Sequence, residues 1–443
     1  MPTLTADAAS ASVLALGDWQ ELAARDPEAA ARELAQRLKT SLSPEQRRSC
    51  FADVADLAAL ADGFRRAAAL PRAEAPLAGV PYTLKDLYHV AGKPVRAGSR
   101  FPFDLAPVRG QSGRLPQMLE CAGAVLAGRT HLYEFAYGLT GENETHGDCE
   151  HPRFPGRTTG GSSSGAAASV AAGIVPFAVG TDTGGSVRVP AAFCGLFGMR
   201  LTPGDEWIAD AFPLAPGFDT AGWFTRNAAD MESVNRAILG PGVPEQAGRE
   251  LRGCFVDFAA SGLSVKVTRE FLRALREAGG RLAPPPDRIT REEIARTFHG
   301  ALQSYVILQS TEAYGVHRQW LDKHREHYSK DVWERLDRGR RWEDSQLDAA
   351  RIKRRAVCVF WERFFESYDF FVMPATPFTA LTKAECTQAN RDWLLALMAP
   401  ASLGGLPVLT VPVRLPSGLS AGLQVIVRDP RSPVISKVLR RMA

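Results

Sequence analysis

Gly180-Thr181-Asp182-Thr183-Gly184-Gly185-Ser186-Val187-Arg188-Val189-Pro190 is the stretch on which the reading of this chain turns. It follows Ile174-Val175-Pro176-Phe177-Ala178-Val179, an apolar run that reads as a buried strand ending at Gly180. A serine after two glycines sits on a tight turn. Without Cβ atoms in the way, neighbouring peptide N–H groups point into one small space. Such a turn supplies a nucleophile and the donors for an oxyanion together.

Two further pieces lie upstream. One is the loop Gly160-Gly161-Ser162-Ser163-Ser164-Gly165. The other is Gly79-Val80-Pro81-Tyr82-Thr83-Leu84-Lys85-Asp86, where a lysine directly follows an apolar strand-like run. A lysine at the inner end of a buried strand differs from a surface cation. Burial disfavours the ammonium, lowers its pKa and makes the amine a neutral base. Phosphate cradling fits these loops poorly. No lysine closes either loop as a P-loop requires, and no Gly-x-Gly-x-x-Gly is present.

The wider composition narrows the class. The chain has 443 residues, 45% apolar and 23% charged, an ordinary globular balance. Lys plus Arg is 53 against 49 for Asp plus Glu, a net charge of +4, too little for a dedicated nucleic-acid binder. The seven cysteines include no Cys-x-x-Cys pair, which argues against a disulfide framework and a structural zinc site. No basic residue precedes Arg25, and no run reaches the ~18 apolar residues of a membrane span. The expectation is a soluble cytoplasmic protein.

Apolar spacing predicts helices over residues 1–70, with Ser43-Pro44-Glu45-Gln46 as one helix start and Ala52–Ala69 as another helix. Residues 116–128 read as a helix and a short strand at Ala124-Val125-Leu126-Ala127. Residues 263–370 read as helical, including Glu270–Glu277, Glu292–Gln303 and a long charged stretch from Tyr314 to Tyr368. Its Arg351, Lys353, Arg354 and Arg355 read as a solvated face. Strands return at Phe370–Met373, Val408–Val411 and Leu423–Val427. The expected fold is α/β, a large mixed β-sheet covered by helices on both faces. The expected organisation is a helical segment over 1–70 packed on a core over 71–443, with a helical variable region near 230–367.

Together and in this order, the three pieces resemble the amidase signature family. The resemblance extends to Ala97-Gly98-Ser99-Arg100, Glu134-Phe135-Ala136-Tyr137-Gly138, Thr140-Gly141-Glu142-Asn143 and Ala191-Ala192-Phe193-Cys194-Gly195. In the tail, Met373-Pro374-Ala375-Thr376-Pro377 and Gly422-Leu423-Gln424 also match. The N-terminal helices and residues 230–367 carry little of the pattern. The resemblance implies a Ser–cis-Ser–Lys triad with Ser186 as nucleophile, Ser162 as bridge on a cis Gly161–Ser162 bond, and Lys85 as base. Ser186 stands 24 residues after Ser162, the family's separation, which selects Ser162 over Ser163 and Ser164. The implied oxyanion hole is the backbone of Thr183, Gly184, Gly185 and Ser186.

The implied activity is hydrolysis of a small carboxamide, releasing ammonia or an amine, with no metal and no cofactor. The alternative is the A-type subunit of a glutamine-dependent tRNA amidotransferase. The expected partners are a small-molecule amide and a second copy of the chain, with no nucleic acid and no membrane. Tyr137, Trp207, Arg188 and the stretch 300–320 are the candidates for substrate contact, although Asp182 and Arg188 also read as a charge pair that stabilises the loop. Ser163 and Ser164 are expected to satisfy loop backbone groups. His146 and His151 have irregular spacing for a metal, and His317, His324 and His327 would share a wet helix face. Asp219-Thr220-Ala221-Gly222 runs into Trp223 where the family often has Gly-Pro, which leaves the substrate open. The chain ends soon after Val427, so the expectation is an enzyme without an appended C-terminal domain.

Overall fold

A computed structural model of the chain describes residues 13–102, 105, 108–244, 249–258 and 267–442. The first twelve residues of the expected 1–70 helical segment, and 263–266 of the later one, lie outside the described residues. Ten strands form one mixed sheet among the described residues. In chain order they are β1 (Phe51–Val54), β2 (Pro81–Lys85), β3 (Val125–Thr130), β4 (Phe177–Asp182) and β5 (Phe197–Arg200). They continue as β6 (Thr220–Thr225), β7 (Gly253–Phe255), β8 (Phe370–Pro374), β9 (Val408–Arg414) and β10 (Ser420–Val427). Their order across the sheet is β1-β3-β2-β4-β6-β5-β9-β10-β8-β7.

The sheet centre is parallel, with β2 between β3 and β4. Parallel neighbours end on the same edge, so Lys85, the last residue of β2, comes beside the end of β4 from nearly a hundred positions away. Beyond β4 the pairing turns antiparallel through β6, β5, β9, β10 and β8. Side chains alternate between two buried clusters. Tyr82, Leu84, Phe177, Val179 and Trp223 belong to one, and Ala178 and Phe224 to the other. Helices Leu16–Arg25, Pro27–Thr40 and Leu57–Ala68 supply much of the second cluster, with Trp19 stacked on Phe64. The helices after β7 supply much of the first.

Several expected elements are present with different bounds. Ser43 caps the Pro44–Cys50 helix with a capping box to Gln46. Ala52–Ala69 is not one helix. Phe51–Val54 pairs with β3 instead, and the helix starts at Leu57 behind an Asp56 cap. Non-local strand pairing overrides the helical preference of the alanine-rich run. The Ile174–Val179 run enters the sheet only at Phe177 and continues past Gly180 to Asp182. The charged stretch from Tyr314 is broken. Helices Ala301–His317, Lys330–Arg338 and Asp344–Ser367 are separate. At the second break, a Cβ on Gly339 would stand 2.0 Å from the Ser310 carbonyl oxygen. The solvated-face reading holds for Arg351, which is exposed and pairs with Asp348, whereas Arg354 donates to the Gly217 carbonyl.

The helix Ser164–Ala171 lies against β4 and is buried at every position. Its sequence Ser-Gly-Ala-Ala-Ala-Ser-Val-Ala is small because little room exists there. A Cβ on Gly165 would lie 2.2 Å from the Cys50 carbonyl oxygen and 2.9 Å from that of His131. The first helical layer therefore touches the turn that carries Ser162. If residues 13–70 and the sheet unfold as one unit, Phe64→Ala should lower stability by about 3–5 kcal/mol within a single urea transition. Two resolved transitions would show that the N-terminal layer folds separately.

Candidate active site

Lys85 is fully buried at the end of β2. Its Nζ donates to Ser162 Oγ at 2.7 Å, Thr181 Oγ1 at 2.8 Å and Ser163 Oγ at 3.0 Å. An ammonium has three protons, and three hydroxyls receive them here. Burial lowers the Lys85 pKa to about 7, while the carboxylates of Asp182 and Asp219 act in the opposite direction. The amine is therefore poised between its two protonation states near neutral pH.

Ser162 follows the cis peptide bond Gly161–Ser162. A Cβ on Gly161 would stand 2.8 Å from the Gly141 nitrogen, so this position has no room for a side chain. Ser163 fixes the loop. Its hydroxyl donates to the Thr181 carbonyl at 3.1 Å and accepts from the Thr181 N–H at 3.3 Å, as expected of a serine satisfying loop backbone.

Asp182, the last residue of β4, organises the turn that follows. Its carboxylate accepts from the N–H groups of Gly185, Val187 and Arg188. It also accepts from Arg188 Nε and Nη2 and from Arg200 Nη1 at 2.6 Å. All three side chains are fully buried. Burial alone would raise the Asp182 pKa, but the two guanidiniums outweigh it and hold the carboxyl far below its usual range. Asp219 braces the other side, accepting Thr183 Oγ1 at 2.5 Å and the N–H groups of Leu214 and Ala215.

Ser186 opens onto a cavity of about 240 Å³, walled also by Gly184, Tyr137, Gln303, Val306 and Arg338. The N–H groups of Thr183, Gly184 and Ser186 have no hydrogen-bond partner among the described residues. The site thus offers a buried amine bonded to a serine, a second serine at a cavity wall, and three unbonded backbone N–H groups in the turn that carries it. That set suits acyl transfer.

Three expectations need correction. The Gly185 N–H faces Asp182 Oδ1 at 2.8 Å rather than the cavity, because the turn closes on that carboxylate. Arg188 is not on the cavity wall. Its five N–H donors are taken by Asp182, Met398 O, Gln424 Oε1 and Ser402 Oγ, and it has no exposure. The charge-pair reading of Asp182 and Arg188 is the one the geometry matches. Trp207 is not among the cavity walls. Its turn is tied by Glu206 and Asp210 to Arg114. Tyr137 and the 300–320 stretch do line the cavity, the latter through Leu302, Gln303, Val306 and Gln309.

The histidines lie elsewhere. His146 stacks on His131 with ring centroids 3.8 Å apart, and His151 Nδ1 accepts the Arg153 N–H. His317 is buried against Phe135 and Tyr328 and shares no helix face with His324 and His327. Among the described residues, His324, Glu326 and His327 bring three potential ligand atoms within 4.8 Å of one another, away from the Ser186 cavity walls. The residues missed from the sequence are Thr181, Arg200, Asp219 and the cavity arginines Arg335, Arg338 and Arg391. The last three sit among charged residues with no local signal that separates a cavity wall from a wet face.

The Amidase family model matches residues 34–249. The A-type subunit of the glutamyl-tRNA(Gln) amidotransferase of Anaeromyxobacter dehalogenans is 32% identical over 423 residues, covering 85% of this chain and 84% of that protein. Indoleacetamide hydrolase of Pseudomonas syringae pv. syringae is 43% identical over 162 residues, 37% of this chain and 36% of that protein. A solved structure titled "Crystal structure of amidase" superposes with a TM-score of 0.82 at 28% identity, covering 97% of this chain and 100% of that one.

The Asp182 cluster sets a stability prediction. Asp182→Asn leaves Arg188 and Arg200 buried without a counter-charge and should destabilise the protein by about 3–5 kcal/mol in urea unfolding at neutral pH. A loss below about 1 kcal/mol would mean that the arginines find another partner.

Proposed function

The chain belongs to the amidase family, and from that premise we propose that it hydrolyses a small carboxamide through a covalent acyl-enzyme on Ser186. The observation that carries this reading is the hydrogen bond of 2.7 Å from Lys85 Nζ to Ser162 Oγ, at a lysine whose burial lowers its pKa to about 7. A surface lysine would be protonated and useless as a base at neutral pH.

In this mechanism neutral Lys85 accepts the proton of Ser162, and Ser162 accepts the proton of Ser186. The Ser186 Oγ adds to the amide carbon. The negative charge on the carbonyl oxygen faces the N–H groups of Thr183, Gly184 and Ser186. The C–N bond then breaks, and the proton returns through Ser162 to the nitrogen, which leaves as ammonia or an amine. Water adds to the ester, gives its proton to the same relay and releases the carboxylic acid and Ser186. One water is consumed per amide. This is acyl transfer with a serine–lysine relay in place of histidine and aspartate.

The fold is consistent with a small-molecule substrate, since the cavity at Ser186 holds only about 240 Å³. No helix among the described residues is long and apolar enough to cross a membrane. A second reading, the A-type subunit of a glutamine-dependent tRNA amidotransferase, is favoured by the name of the relative matched over 85% of this chain. It would require a copurifying partner and glutaminase activity that depends on it.

Ser186→Ala should abolish amide turnover, and Lys85→Ala should lower kcat by about 10²–10⁴-fold, the range for a general base. Turnover of Ser186→Ala at the wild-type rate would refute the assignment. The pH profile follows from the sign of the Lys85 shift. The amine is protonated and inactive below its pKa, so kcat/KM should rise through about pH 7 and level off above it. A profile flat from pH 5 to 9 would exclude Lys85 as the base.

A further inference from the structure

We infer that the substrate amide carries a carboxylate, and that Arg338 and Tyr137 anchor it. This rests on the reading of Ser186 as an amidase nucleophile. Three guanidiniums, those of Arg335, Arg338 and Arg391, line the cavity that Ser186 opens onto. Two are already neutralised. Arg335 pairs with Asp331 at 2.7 Å and donates to the Tyr137 carbonyl. Arg391 pairs with Glu142 and has Asp331 at 3.8 Å.

Arg338 differs. It makes no ion pair within 4.0 Å among the described residues, and its Nε is buried without a hydrogen-bond partner. The Tyr137 hydroxyl, on the same cavity, is also buried and unbonded. Arg338 lies close enough to counter the burial that raises the Tyr137 pKa. A guanidinium edge and a phenol hydroxyl, both buried and unmatched, carry a desolvation penalty that a ligand can relieve. A carboxylate accepts from both at once through its two oxygens, and its plane fits the guanidinium fork. Asp392, on the same wall, does not fill this role, because its Oδ1 accepts from Gln388 at 2.7 Å and it makes no bond to Arg338 among the described residues. The cavity volume limits the spacer between carboxylate and amide to a short one.

The test compares succinamate with butyramide, and malonamate with propionamide, in the wild type, Arg338→Gln and Arg338→Lys. The carboxylate member of each pair should be preferred in kcat/KM. Arg338→Gln should reduce that preference by roughly tenfold or more, acting through KM, with partial recovery in Arg338→Lys. Equal or better use of the neutral amides, or a preference unmoved by Arg338→Gln, overturns the inference while leaving the amidase reading intact. If none of the four amides is turned over, succinate should still protect Ser186 from fluorophosphonate labelling in the wild type and lose that protection in Arg338→Gln. Labelling without protection overturns the anchor alone. Absence of labelling at Ser186 removes the amidase reading and the inference with it.

Discussion

The Asp182 carboxylate is the interaction on which the rest of the site depends. It stands at the end of a central strand with no access to water, and six hydrogen bonds converge on it. Three come from the backbone of the turn that carries Ser186, and three from two buried arginines. The arginines pin this corner to distant parts of the chain, since Arg188 reaches Met398 and Gln424 and Arg200 reaches the Leu406 carbonyl. A carboxylate satisfied this fully stays ionised and does not wander. It holds the Gly185 N–H, while those of Thr183, Gly184 and Ser186 have no hydrogen-bond partner among the described residues.

Burial disfavours the charged form of both Asp182 and Lys85, yet the two groups end differently. The Asp182 carboxyl has two cations and remains charged, whereas Lys85 has only hydroxyls as direct partners and loses its grip on its proton. One interior thus holds a permanent anion and a lysine that titrates near neutrality. The difference lies in the immediate partners, not in depth.

Much of this was legible in the residues. The two Gly/Ser loops and the lysine after an apolar strand stand out because their composition is improbable for linkers, and the sheet brings Lys85 and Ser162 into contact. Local pattern failed where the deciding partner was remote. Phe51–Val54 became a strand because β3 offered it an edge, and the strand expected over Ile174–Val179 lies at Phe177–Asp182 because β2 and β6 pair there. Arg188 beside Ser186 invites a role with substrate, and only the positions of Ser402 and Gln424 show that its donors are already filled. Arg338 is the converse, a cation in a charged stretch whose Nε, buried and unbonded among the described residues, is visible only in three dimensions.

The span of the Arg188 contacts bears on when this corner can be completed during synthesis. The acceptors that complete its guanidinium lie 210, 214 and 236 residues further along the chain. A growing chain that already contains Lys85, Ser162 and Ser186 still lacks them. Its Ser186 turn has the acid at its centre but not the wall against which the arginine is set. Long-range closures of this kind form late. The nascent polypeptide therefore holds Lys85, Ser162 and Ser186 well before the residues that complete the Arg188 guanidinium have been made.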